Sequence, residues 1–84
     1  MEAETYVPRE FYCPITGELM NNPVSEQSGH SYERDSIMEW LSRSQTSSIT
    51  RLPLTEGDLT ENLALKRSID SIRDKINSDQ LKIN

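Results

Sequence analysis

A chain whose only cysteine is Cys13 and whose only histidine is His30 cannot be stapled. One cysteine closes no intrachain disulfide, and one Cys with one His leaves a tetrahedral zinc site two ligands short. At 84 residues the chain makes at most one domain. A domain of that size buries only about 60–65% of the surface its unfolded chain exposes, and many such domains add a disulfide or a metal to hold together. Neither is open to this sequence. Irregular loops must therefore be held by packing and side-chain hydrogen bonds.

Several function classes drop out early. The net charge of -5 gives no basic face for phosphates, so nucleic acid is not expected as the main partner. No apolar run is long enough for a transmembrane helix or a signal-peptide core, so no membrane partner is expected either. The lone cysteine fits a reducing compartment. Cys13 and His30 invite a nucleophile–base pairing, but Cys13 stands in the apolar cluster Phe11-Tyr12-Cys13-Pro14-Ile15. Buried cysteines are usually inert. His30 belongs to a turn and reads as a surface residue. The carboxylates form no acid–base pair by spacing, and three glycines build no phosphate loop. The residues alone describe a binding module without a nucleophile of its own.

The order of elements follows from local signals. Pro14 argues against a central strand, so 11–20 reads as a loop with buried anchors. Val24 to Tyr32 reads as a short hairpin, with Gly29 free to take a positive φ in the turn. Asp35 or Ser36 is the expected cap of the next helix, and Ser36 with Glu39 fits a capping box. Ile37 and Leu41 should face the core, with Met38 and Trp40 on the flanks. A polar loop follows from Ser42, then the apolar anchor Leu52-Pro53-Leu54. Thr55 and Asp58 suit one short turn, and Asn62 suits the N-cap of a last helix over 63–77. The stripe Leu65, Ile69, Ile72, Ile76 reads as core packing first and as a seam between two copies second. Its charged face should be solvated and laced with i,i+4 pairs. No internal repeat is expected. The pattern is a small α+β domain: two long loops around a β-hairpin and central helix, plus a C-terminal helix. Ile15 and Trp40 are the large apolar groups best placed to line a protein-binding groove.

The ordered set of these pieces carries a resemblance. Phe11-Tyr12-Cys13-Pro14-Ile15, Glu18-Leu19-Met20, Asn22-Pro23-Val24, Ser28-Gly29-His30-Ser31-Tyr32-Glu33-Arg34, Trp40-Leu41, Pro53-Leu54-Thr55, Asp58-Leu59 and Asn62 to Lys66 together resemble the U-box domain of ubiquitin ligases. The likeness implies a domain over 10–77, between a leader at 1–9 and a tail at 78–84. It implies a RING-like fold without zinc or other cofactor, whose metal sites are replaced by hydrogen bonds and salt bridges. Ser28, Ser31, Glu33, Arg34, Thr50, Thr55 and Asp58 are candidates for that network.

The same likeness implies a ubiquitin-conjugating enzyme and ubiquitin as partners, and a cytoplasmic or nuclear setting (host cytosol for a bacterial effector). Ile15 would be the first-loop contact, Trp40 the helix contact, and Ser48 and Pro53 would bound the second loop. Arg51 would be the linchpin cation reaching both the conjugating enzyme and its ubiquitin. Three positions depart from the family pattern. Ser48 stands where proline is common, Asn22 where aspartate is common, and Gly17 where a large apolar residue is common. The alternative is a non-catalytic U-box used for assembly or homodimerisation.

Overall fold

Gly29, at φ 96°, closes the hairpin around which the rest of the chain packs. The computed structural model describes residues 6–81, with side chains to residue 77. The strands and helices run β1 (Pro23–Ser25), β2 (Ser31–Glu33), α1 (Arg34–Arg43), β3 (Thr60–Glu61) and α2 (Leu63–Leu81). β1 is the centre of an antiparallel sheet of order β2-β1-β3. Val24 faces Tyr32 on one side and Glu61 on the other. The hairpin was expected. The two-residue strand β3 was not, because Thr60-Glu61 shows no alternation long enough to register.

α1 begins two or three residues earlier than its sequence signals indicate. Neither Asp35 nor Ser36 caps it; Glu33 is the N-cap residue and makes no side-chain cap bond. Its carboxylate is used elsewhere, accepting the Asn21 N–H at 2.6 Å and the Asn22 N–H at 3.0 Å. The Arg34 N–H donates to the Asn22 carbonyl at 3.0 Å. A tertiary pairing thus sets the helix start and overrides the local cap. Ile37 and Leu41 face inward as expected.

α2 is capped as the sequence indicates. Asn62 Oδ1 accepts the Leu65 N–H at 3.0 Å, while its Nδ2 donates to Ser25 Oγ at 3.1 Å. One side chain therefore starts the helix and fastens it to β1. The helix runs on to Leu81, past the expected end at 77. Of the expected leader and tail, 1–5 and 82–84 lie outside the described residues.

Ile69 is fully buried, and Leu65 packs against the core from its edge. Two of the helix's cations depart from the solvated face expected of them. Arg73 Nη2 donates to the Met20 carbonyl at 3.0 Å and Lys66 Nζ to the Asn21 carbonyl at 3.2 Å. The expected i,i+4 pair exists too, with Lys66 Nζ 3.6 Å from Asp70. The core is Cys13, Met20, Val24, Tyr32, Ile37, Leu41, Leu54 and Ile69. It draws on both loops, the hairpin and both helices. Truncating Met20 or Ile37 to alanine there costs about 2–5 kcal/mol.

Candidate functional site

The two loops that flank α1 are the same structure built twice. In the first, Met20 N–H donates to Phe11 O (3.1 Å), Cys13 N–H to Glu18 O (2.9 Å) and Gly17 N–H to Cys13 O (2.7 Å). In the second, Leu54 N–H donates to Gln45 O (3.0 Å), Ser47 N–H to Leu52 O (2.8 Å) and Arg51 N–H to Ser47 O (3.0 Å). Each loop also closes with an antiparallel bridge, Tyr12 to Leu19 and Thr46 to Pro53.

The side chains repeat as well. Cys13 Sγ accepts the Ile15 N–H at 3.4 Å, and Ser47 Oγ accepts the Ile49 N–H at 3.1 Å. Thr16 Oγ1 accepts the Glu18 N–H at 3.1 Å, and Thr50 Oγ1 accepts the Leu52 N–H at 3.2 Å. All of these bonds coincide when 11–20 is laid on 45–54. No internal repeat was expected from the sequence, and this corrects it. Only Ile-Thr is shared in identity between the segments, because most of the matching bonds are backbone to backbone.

The fifth residue of each turn takes a left-handed backbone: Gly17 at φ 76° and Arg51 at φ 65°. Glycine adopts that region freely, which accounts for Gly17 where a larger residue is common. For arginine the left-handed region costs about 1–2 kcal/mol. Arg51 is the one non-glycine residue with positive φ among the described residues.

Ile15 is 36% exposed and lies outside the core cluster. Ile49, its counterpart, is 41% exposed, and Leu52 is 65% exposed. Of the anchor Leu52-Pro53-Leu54, only Leu54 is buried. Trp40 is half-buried against the core, and its Nε1 donates to the Thr46 carbonyl at 2.7 Å. That bond ties α1 to the second loop beside the Thr46–Pro53 bridge, so Trp40 and Pro53 share one edge. Ser48 is half-buried. The Arg51 side chain is exposed and has no carboxylate partner among the described residues. Cys13 is 1% exposed, and its sulfur also accepts the Glu33 N–H at 3.2 Å. The thiol is a structural acceptor, not a nucleophile.

The polar network behind the second loop differs from the expected one. Its centre is Glu26, with Tyr32 and Ser47, none of which the sequence singled out. The Tyr32 hydroxyl donates to Glu26 Oε2. Ser47 Oγ donates to the same oxygen at 3.0 Å, and Ser28 Oγ donates to Oε1 at 2.9 Å. Ser28 also meets His30 Nδ1 at 2.9 Å, which makes His30 a half-buried partner and not a plain surface residue. Burial pushes the Glu26 carboxyl up. The hydroxyls of Tyr32, Ser28 and Ser47, with the nearby His30, outweigh it and hold the carboxyl below its ordinary value. Burial and the Glu26 charge raise the Tyr32 phenol, which stays neutral.

Of the expected members, Ser31 meets Ser25 at 2.7 Å, and the Asp58 carboxylate accepts the Thr55 N–H at 2.9 Å. Arg34 joins through its backbone alone among the described residues. The salt bridges that the resemblance implied do not hold these loops. The ion pairs among the described residues are Arg43–Glu39 and Lys66–Asp70, each within one helix. One signal for Glu26 was present: it follows Val24 by two and so falls on the same face of the strand.

Comparison with known proteins gives the same fold. A family model for the U-box domain matches residues 7–78. The WD repeat, SAM and U-box domain-containing protein 1 of Danio rerio is 49% identical over 63 residues, covering 74% of this chain and 13% of that protein. Its Homo sapiens namesake is 45% identical over 65 residues, covering 76% and 14%. The E3 ubiquitin-protein ligase PUB23 of Arabidopsis thaliana is 41% identical over 73 residues, covering 84% and 18%. The chain thus spans less than a fifth of the length of these relatives. With the duplicated loops, the central helix and the match over residues 7–78, this chain belongs to the U-box family.

Proposed function

We propose that this domain binds a ubiquitin-conjugating enzyme in the groove between its two loops and α1, and promotes ubiquitin transfer from that enzyme's thioester to a substrate lysine. Ile15, Trp40, Ser48 and Pro53 contact the conjugating enzyme. The domain adds no covalent step, since its one thiol is buried and engaged. It acts by restricting the thioester-linked ubiquitin to a near-attack pose. Such a domain works where ubiquitin and its conjugating enzymes are present, in the cytoplasm or nucleus.

The observation that carries this reading is Arg51. An exposed guanidinium with no carboxylate partner among the described residues stands on a loop whose backbone is held left-handed beneath it. Its five donors suit carbonyls from two molecules at once. The test is a pair of assays: binding to unloaded conjugating enzyme, and single-turnover discharge of loaded enzyme to free lysine. Ile15→Ala weakens binding by about thirty-fold while the domain stays folded, as truncation of a central apolar anchor does. Arg51→Ala leaves that binding within about two-fold and slows discharge about ten-fold or more. Equal loss in both assays would make Arg51 an ordinary groove contact. No loss in either would favour the assembly reading.

A further inference from the structure

We propose that Glu26 is a positioning residue for Arg51, acting through Ser47 across the gap between the hairpin and the second loop. The inference rests on the linchpin reading of Arg51, and the comparison of the two loops carries it. Both turns share their backbone bonds, their side-chain acceptor at the first position and their left-handed fifth residue. They differ in what braces the acceptor. In the first loop, Cys13 Sγ takes one further neutral donor, the Glu33 N–H. In the second, Ser47 Oγ gives its proton to a carboxylate that is itself 8% exposed.

The difference matches the load. The first loop places glycine at the left-handed position, where nothing needs to enforce it. The second places arginine there, and a strained conformation persists only where its surroundings over-determine it. Glu26 supplies that constraint. Because its carboxylate accepts the Ser47 proton, the Ser47 lone pairs stay free for the N–H groups of Ile49 and Thr50, each at 3.1 Å. Those amides lead directly into Arg51, whose own N–H is held by the Ser47 carbonyl. Ser47 is 1% exposed, so no water competes for its hydroxyl. A neutral amide at position 26 offers one acceptor oxygen where two are in use.

The experiment compares the two loops within one molecule. Amide hydrogen exchange is measured on the wild-type domain and on Glu26→Gln, beside lysine discharge and binding to unloaded conjugating enzyme. The expected result is protection lowered about ten-fold at Ile49, Thr50, Arg51 and Leu52, with Ile15, Gly17 and Glu18 unchanged. Discharge falls about ten-fold, and binding to unloaded enzyme stays within about two-fold. In an Arg51→Ala background, Glu26→Gln lowers discharge no further, since both changes remove the same contact.

Equal loss of protection in both loops, unchanged exchange in the second loop, or the same fold-loss in the Arg51→Ala background each overturns the proposal. Should Glu26→Gln not fold, Glu26→Asp takes its place, because the shorter side chain draws the carboxylate back from Ser47 while leaving the Ser47 acceptor intact, with the same expected and refuting results. The linchpin reading fails separately, if Arg51→Ala alone leaves discharge intact. The exchange result then still decides whether Glu26 holds the loop.

Discussion

Replacing Arg51 should set stability and activity against each other. Its backbone sits at φ 65°, in a region that costs an ordinary residue about 1–2 kcal/mol. Arg51→Gly removes that cost but adds freedom to the unfolded chain, worth about 0.4–1 kcal/mol in the opposite direction. The net is a gain of roughly 0.5–1 kcal/mol, or about 2–8 °C in melting temperature for a domain of this size. Arg51→Asn relieves part of the strain without the added freedom and should also melt higher. Arg51→Ala keeps the strain and should melt near the wild type. All three lose the guanidinium and should slow lysine discharge about ten-fold or more. The assays are thermal melts followed by circular dichroism and single-turnover discharge on the same preparations. A glycine variant no more stable than the alanine variant would refute the claim of strain. A glycine variant with full discharge would refute the claim that the cation matters.

Two further outcomes follow from the polar network. The Glu26 carboxyl is held below its ordinary value of 4.5, so the stability it contributes is fully present above that value and is lost as pH falls through its folded value. Urea titrations between about pH 6 and pH 3 should therefore show wild-type stability falling more steeply than that of Glu26→Gln, and parallel slopes would contradict this. Chelation should leave the melting temperature unchanged, since the chain offers one cysteine and one histidine; a fall of several degrees, with stoichiometric zinc in the purified protein, would overturn it.

The parts of this molecule that were legible in the sequence are those where a residue acts on its near neighbours. Gly29 in its turn, Ile37 and Leu41 on the inner face of α1, Asn62 as a cap and Asp58 reaching back to Thr55 all act within a few positions. The exposed Ile15 and the half-buried Trp40 were also placed by pattern. What stayed hidden depends on distant partners. The Glu26–Ser47 bond spans 21 residues, and the Arg73–Met20 bond spans 53. Glu33 was among the expected network residues, but its partners, two amides more than ten positions away, could not be read from the sequence. The duplicated loop escaped for another reason. A pattern of backbone hydrogen bonds leaves little mark on side-chain identity, so Cys13 and Ser47 share a role with no sequence likeness between them.

That duplication makes a specific claim about Ser48, the position where the family pattern commonly has proline. Laid on the first loop, Ser48 falls on Pro14, one residue after the acceptor and in the same five-residue turn. The first loop therefore shows that this turn accommodates the fixed φ of proline. Among the described residues no hydrogen bond uses the Ser48 N–H. Ser48→Pro gives up little in hydrogen bonding, since the Ser48 hydroxyl makes no side-chain hydrogen bond among the described residues and the Tyr32 phenol keeps its bond to Glu26. What it gains is a stiffer unfolded chain, worth about 0.4–1 kcal/mol. It also adds a few tens of Å² of apolar surface at the groove, worth roughly 1 kcal/mol or several-fold in affinity when buried. Ser48→Pro should thus melt a few degrees higher and bind the unloaded conjugating enzyme several-fold more tightly. Thermal melts and a binding titration decide it. A variant that melts lower would mean that the two loops share hydrogen bonds but not backbone angles at this position. A variant that melts higher and binds no better would place Ser48 outside the contact.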